Sequence, residues 1–225
     1  MQLVSLLITT LLSASASLAS PAGSKLVSRA STPNSYGVSN GFYYRWWTDG
    51  QGHSNATYTN GPGGSYTVDW TNSQGDLYGG KGWATSSPTR VAHYEGTFQP
   101  NGNAYLSLYG LNKSPYGDYR VLESYGTYNP TDYYPILGQV TCDGATYDVI
   151  DIIRYPEGLE PIIHQFYSVR NPKLPNGYVE GSIDLACHLA GWASLGLNVE
   201  VDTAYWQVVI TEGYSSSGYS NITIS

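Results

Sequence analysis

Three acids are placed where they could share work. The stretch SPYGDYRVLESYGTYNP, residues 114–130, holds Asp118 and Glu123, and the later stretch VITEGYSSSGYS holds Glu212. Two carboxyl groups facing each other across a groove can divide labour, one moving a proton while the other attacks or steadies developing positive charge. Both must then stand on strands that look into the same groove. Alternate residues of a strand face opposite sides, so Asp118 shares a side with Tyr116 and Arg120, while Glu123 faces away unless a bulge intervenes. Glu212 shares its side with Trp206, Val208 and Ile210.

The elements that must carry these acids are strands. SYTVDW puts Tyr66, Val68 and Trp70 on one face, and NAYLSLYG puts Tyr105, Ser107 and Tyr109 on one face with Leu106 and Leu108 on the other. Such alternation, cut by Gly, Asn, Pro and Ser turns along the whole chain after Arg29, predicts an all-β sandwich or barrel. One segment departs from period two. SIDLACHLAGWASLGL carries Leu185, Leu189, Trp192 and Leu195 at helical spacing, which predicts a single helix over about 186–195, capped by Asp184 and stopped at Gly196. No linker or repeat divides the chain after Arg29.

The first residues, MQLVSLLITTLLSASASLAS, are an apolar run followed by small residues. This predicts a signal peptide at 1–19, then a pro-segment at 20–29 ending in PAGSKLVSR. The run is too short to remain in a bilayer. The expected location is therefore extracellular, for a secreted monomer formed by residues 30–225. The full chain has 10 basic and 17 acidic residues, net −7. Without Lys25 and Arg29 the balance is 8 against 17, or −9, which excludes nucleic acid and anionic membranes as partners. Cys142 and Cys187 are a disulfide in an oxidising compartment, or two buried thiols otherwise. Asn55-Ala56-Thr57 and Asn221-Ile222-Thr223 are glycosylation sequons, with Asn112-Lys113-Ser114 weakened by Pro115. His53, His93, His164 and His188 have no metal-ligand spacing, and no phosphate loop, redox pair or Ser-His-Asp motif is present, so no cofactor or metal is expected.

Tyrosine accounts for 22 of the 225 residues, while only 12% are charged. Tyr favours strands on its own account. A set such as Tyr43, Tyr44, Trp46, Trp47, Tyr105, Tyr109, Tyr205 and Trp206 suits a groove better, because flat rings pack on sugar C–H groups and their polar tips bond sugar oxygens. Cleaving a glycosidic bond in such a groove takes two carboxyl groups, held about 5–5.5 Å apart in retaining enzymes.

From about Tyr36 to Ser225 the chain resembles glycoside hydrolase family 11, the β-jelly-roll endo-1,4-β-xylanases. The resemblance rests on NGFYYRWWTDG, YTNGPGGSYTVDW, GGKGW, PNGNAYLSLYG, YGTYNP, DGATYDV, YSVR and TEGYSSSG. It implies two twisted antiparallel sheets forming a cleft with one helix, and xylan or xylo-oligosaccharides as ligand. It also implies Glu212 as general acid/base and, aligning on Pro115, Asp118 at the nucleophile position; Glu123 falls on a trailing acid that the family does not use. The resemblance places Trp47, Tyr109, Arg154 and Gln165 in the sugar cleft and Asp76 beside the acid/base, where Asp accompanies an acidic optimum. Tyr105 and Trp206 join them as expected sugar contacts. Cys142 and Cys187 fall where a disulfide joins a sheet loop to the helix start.

The chain departs from the family pattern at several points. Arg120 replaces a tyrosine of the nucleophile strand, Leu111 replaces a tryptophan, and the hairpin RYPEGLEPIIHQ, residues 154–165, is shortened and lacks a Pro-Ser-Ile tip. Asp118 also sets its carboxylate back by about 1.5 Å relative to Glu, opening the gap to Glu212 to roughly 6.5–7 Å. These departures leave two expectations: a slow xylanase, or a non-catalytic relative that binds xylan or engages a xylanase-inhibitor protein.

Overall fold

The computed structural model describes residues 31–49, 55–156 and 161–225. The leader expected at 1–19, the pro-segment at 20–29 and residues 157–160 of the shortened hairpin lie outside them. The strands run in chain order β1 Ser35–Ser39, β2 Phe42–Thr48, β3 Asn55–Asn60, β4 Ser65–Thr71 and β5 Asp76–Trp83. They continue with β6 Val91–Asn101, β7 Ala104–Ser114, β8 Gly117–Tyr125, β9 Gly138–Cys142 and β10 Ala145–Arg154. After β11 Ile163–Arg170 and β12 Gly177–Asp184 comes the helix α1, Leu185–Ser194, followed by β13 Glu200–Val201, β14 Gln207–Tyr214 and β15 Ser217–Ile224. Among the described residues one sheet has the order β1-β2-β5-β14-β7-β8-β11-β10-β9, with β13 added on β7, and the other β12-β6-β15-β4-β3. Every pairing is antiparallel except β8 with β11. Among the described residues the fold is the expected two-sheet jelly roll with one helix.

The core lies between the sheets. Tyr66, Val68 and Trp70 of β4 meet Leu106 and Leu108 of β7, Tyr119 and Val121 of β8, and Phe166 of β11, all essentially without solvent exposure. Burying one such side chain contributes about 1.5–3 kcal/mol. Gly79 makes the close packing possible on β5, since a Cβ there would come within 2.7 Å of both the Trp46 and Tyr58 rings. The helix starts as expected. The Asp184 side chain accepts a hydrogen bond from the Ala186 N–H, and Gly196 takes a left-handed φ of +84° just past its end.

Cys142 at the end of β9 and Cys187 in α1 form a disulfide closing a separation of 45 residues. Limiting an open chain in that way stabilises the fold by about 4 kcal/mol in the loop-entropy picture. His188, one residue on, brings together a trio that no sequence motif announced. Its Nδ1 lies 3.0 Å from Ser168 Oγ and its Nε2 3.1 Å from Asp143 Oδ2. The residue types are those of a nucleophilic triad. Ser168 and His188 are wholly buried and Trp192 Nε1 donates to the same Oγ at 2.9 Å, so no substrate reaches the serine. The trio ties α1 to β11.

Candidate active site

The other face of the large sheet is a concave groove. Its floor is built by the side chains that point away from the core on β2, β5, β14, β7, β8, β11 and β10. It holds a cavity of about 540 Å³ whose lining includes Asp76, Asp118, Arg120, Gln165 and Glu212. Strand parity thus brings Asp118 and Glu212 into one groove, as expected.

Asp118 is held from the side. Gly117 lets β8 run against β11, because a Cβ there would collide with the backbone of His164. The resulting parallel register sets Gln165 beside Asp118. Gln165 Nε2 donates to Asp118 Oδ2 at 2.9 Å, and Arg154 Nε donates to Gln165 Oε1 at 3.0 Å. Burial pushes the Asp118 carboxyl above the ordinary range, against the pull of Arg120, of the Gln165 hydrogen bond and of Arg154.

Arg120 stands between the two acids. Its Nη1 is ion-paired with Glu212 Oε2, and its Nε lies 4.0 Å from Asp118 Oδ1. The guanidinium sits 4.4 Å from the centre of the Tyr109 ring and 5.6 Å from that of Tyr167. Such stacking on ring faces favours a cation, most where water is excluded. One side chain therefore occupies the space between the two carboxylates.

Glu123 lies on the face opposite Asp118, as strand parity expects. A bulge does intervene. Ser107 pairs with Leu122 and Leu106 with Ser124, which leaves Glu123 as the extra residue of β8. The bulge does not reverse this residue: the shift changes only the pairing beyond it, and Glu123 faces the core, opposite Asp118, as plain alternation places it. There, wholly buried, it accepts hydrogen bonds from Tyr94 Oη at 2.6 Å, Tyr147 Oη at 2.7 Å and Arg170 Nη1 at 2.9 Å.

The aromatic residues divide by parity. Tyr105 lines the cavity with Tyr128, Tyr134, Tyr167 and Tyr214. Tyr109 lies beneath Arg120 and edge-on to Trp206 at 5.0 Å, and Trp206 is itself buried among Val208, Ile210 and Leu111. Trp47 stacks on Tyr78 at 5.5 Å and lines a separate depression further along the groove. Trp46 faces the core instead, Tyr44 packs against that core, and Tyr205 stands in an exposed turn. Those three were expected in the groove with their neighbours. Adjacent residues on a strand cannot share a face. Tyr167 was not singled out from the sequence, although its parity with Gln165 was the available signal.

Asp76, at the start of β5, lines the same cavity. Burial, with Asp49 adding repulsion, pushes its carboxyl up to about 6 although Arg120 pulls the other way. A carboxyl raised above its ordinary 3.8 favours the folded state while protonated, and that contribution is lost as pH rises through the folded value. We expect thermal stability to fall across about pH 4 to 6 from this source. Asp76→Asn, which cannot ionise, flattens that part of a Tm-against-pH curve; an unchanged curve counts against the assignment.

Comparison with known proteins fits this geometry. The profile of glycosyl hydrolases family 11 matches residues 39–223. The chain is 48% identical over 212 residues to endo-1,4-beta-xylanase 1 of Leucoagaricus gongylophorus, covering 91% of this chain and 88% of that protein. It is 47% identical over 199 residues to endo-1,4-beta-xylanase A of Schizophyllum commune, covering 86% and 99%. It is 43% identical over 220 residues to an endo-1,4-beta-xylanase of Thermomyces lanuginosus, covering 95% and 94%.

Proposed function

The chain belongs to glycosyl hydrolases family 11, and from that premise we propose that it is a secreted, monomeric glycosidase that cleaves internal β-1,4 bonds of xylan slowly. Glu212 serves as general acid/base and Asp118 stands in the nucleophile position. The observation that carries this reading is the pair Asp118 and Glu212 facing one groove with Arg120 between them. In turnover Glu212 gives its proton to the glycosidic oxygen as its bond to the anomeric carbon breaks and Asp118 bonds to that carbon; water, losing a proton to Glu212, then attacks the same carbon and releases Asp118.

Two features slow that sequence. A cation in contact with Glu212 favours the charged carboxylate, whereas a general acid must begin the step holding a proton. Asp118 is also one methylene short, and a misplacement of about 1 Å costs about 100-fold. Arg120 has to withdraw before a sugar can approach both acids.

The contact of Arg120 with Glu212 also favours a second reading, in which the groove holds xylan without cutting it. Reducing-sugar release from soluble xylan separates the two. We expect slow release by the wild type and none by Glu212→Gln. Retained binding of xylo-oligosaccharides with no release selects the second reading. Release that survives Glu212→Gln overturns the role of Glu212.

A further inference from the structure

The groove contains a second arginine whose position the cleavage chemistry does not use. Arg45 lies on β2, one alternation from Trp47, and so faces the groove rather than the core. Its Nε donates to Tyr78 Oη at 2.7 Å, and its guanidinium carbon lies 5.0 Å from the centre of the Trp206 ring. The side chain lines a depression of about 380 Å³ together with Asn34, Ser35, Tyr36 and Trp47. That size is within the range of small-ligand sites.

The other cations of the groove face are spoken for. Arg120 stands between Asp118 and Glu212, and Arg154 supports Gln165. Besides the Tyr78 and Trp206 rings, the charge of Arg45 is acted on by the hydroxyls of Tyr78 and Tyr43. Burial lowers its pKa, these two more than offset that, and no carboxylate of the described residues pairs with it. A half-buried guanidinium without an anion is an unusual lining for a groove that needs only neutral sugar contacts. Its planar fork matches a carboxylate in two parallel hydrogen bonds. Asn34 does not compete for that role, because its side-chain oxygen and nitrogen are both engaged by Thr48.

We propose that Arg45 is a specificity-determining residue that receives the carboxylate of an acid-branched xylan, a β-1,4 backbone carrying a uronic acid substituent, in the depression beside Trp47. This names the substrate class of the groove and rests on the reading that the groove takes xylan. The net negative charge of the chain does not oppose it strongly. At physiological ionic strength fields decay over about 8 Å, so the cation in contact decides.

The test is calorimetric binding to Glu212→Gln protein, in which turnover does not blur the titration. Three probes are used: a linear neutral xylo-oligosaccharide, the same backbone with one glucuronic acid branch, and that branched probe with its carboxyl reduced to an alcohol. We expect the acid-branched probe to bind about tenfold tighter than its reduced counterpart, with the preference shrinking as salt is raised. Arg45→Gln in the same background removes the preference and leaves neutral binding within about threefold, which also verifies folding; Arg45→Lys keeps part of it. Equal binding of the acid and reduced probes overturns the inference while leaving the xylan reading intact. So does a preference that survives Arg45→Gln, which would transfer the reading to Arg154. Binding of none of the three overturns the xylan reading and this inference together.

Discussion

The double variant Asp118→Glu, Arg120→Tyr hydrolyses xylan at least about 100-fold faster than the wild type, and neither single change approaches that gain. Asp118→Glu alone moves the carboxylate forward by about 1.5 Å, but toward a guanidinium whose Nε is already 4.0 Å from Asp118 Oδ1. The longer side chain then pairs with the cation instead of reaching the sugar. Arg120→Tyr alone frees Glu212 to carry a proton and opens the space between the acids, yet leaves the nucleophile short. Each obstacle hides the removal of the other, so the two effects are strongly non-additive, as expected for residues in one charge network. The measurement is kcat/KM on soluble xylan for the four proteins, with thermal denaturation to verify folding. Additive gains, or a folded double variant no faster than the wild type, would remove Arg120 and the missing methylene as causes of slow turnover.

The second large effect is on stability. Glu123→Ala lowers the free energy of unfolding by about 3–5 kcal/mol, because it leaves the Arg170 guanidinium without its buried anion. The hydroxyls of Tyr94 and Tyr147 lose their acceptor in the same step. Glu123→Gln keeps acceptor capacity and costs less, about 1–3 kcal/mol. Urea denaturation at neutral pH reads both. Since Glu123 faces the core, the folded fraction of either variant should retain the wild-type rate on xylan. A stable Glu123→Ala protein that has lost activity would mean that Glu123, not Asp118, is the second catalytic acid.

The acids show how much of the site could be read along the chain. Period-two alternation alone put Asp118 with Arg120 and Glu212 with Trp206, and the structure keeps both pairs on the groove face. Grouping the rings at 43–47 by type set that rule aside and failed, because Tyr44 and Trp46 alternate with Tyr43 and Trp47 and turn to the core. Composition could flag a tyrosine-rich protein but not which face of a strand would be covered by the second sheet. The Glu123 bulge was legible only as a condition, since an extra residue is defined by its partner strand, and β7 supplies that partner only after the sheet forms.

What the sequence determined by itself was therefore local or family-wide: strand alternation, the Asp184 cap and Gly196 stop of the helix, and the motifs that identify a family 11 jelly roll. The tertiary structure alone decided what the charges do. Arg120 reaches Glu212 across β7, over a separation of 92 positions, and among the described residues no carboxylate is brought to Arg45. Ser168, His188 and Asp143 meet only where α1 closes over β11. The physical reason is range. Alternation and capping act through bonds and neighbours a few residues away, whereas ion pairing depends on separations of a few ångströms between residues far apart in the chain, which only the completed register of the strands defines.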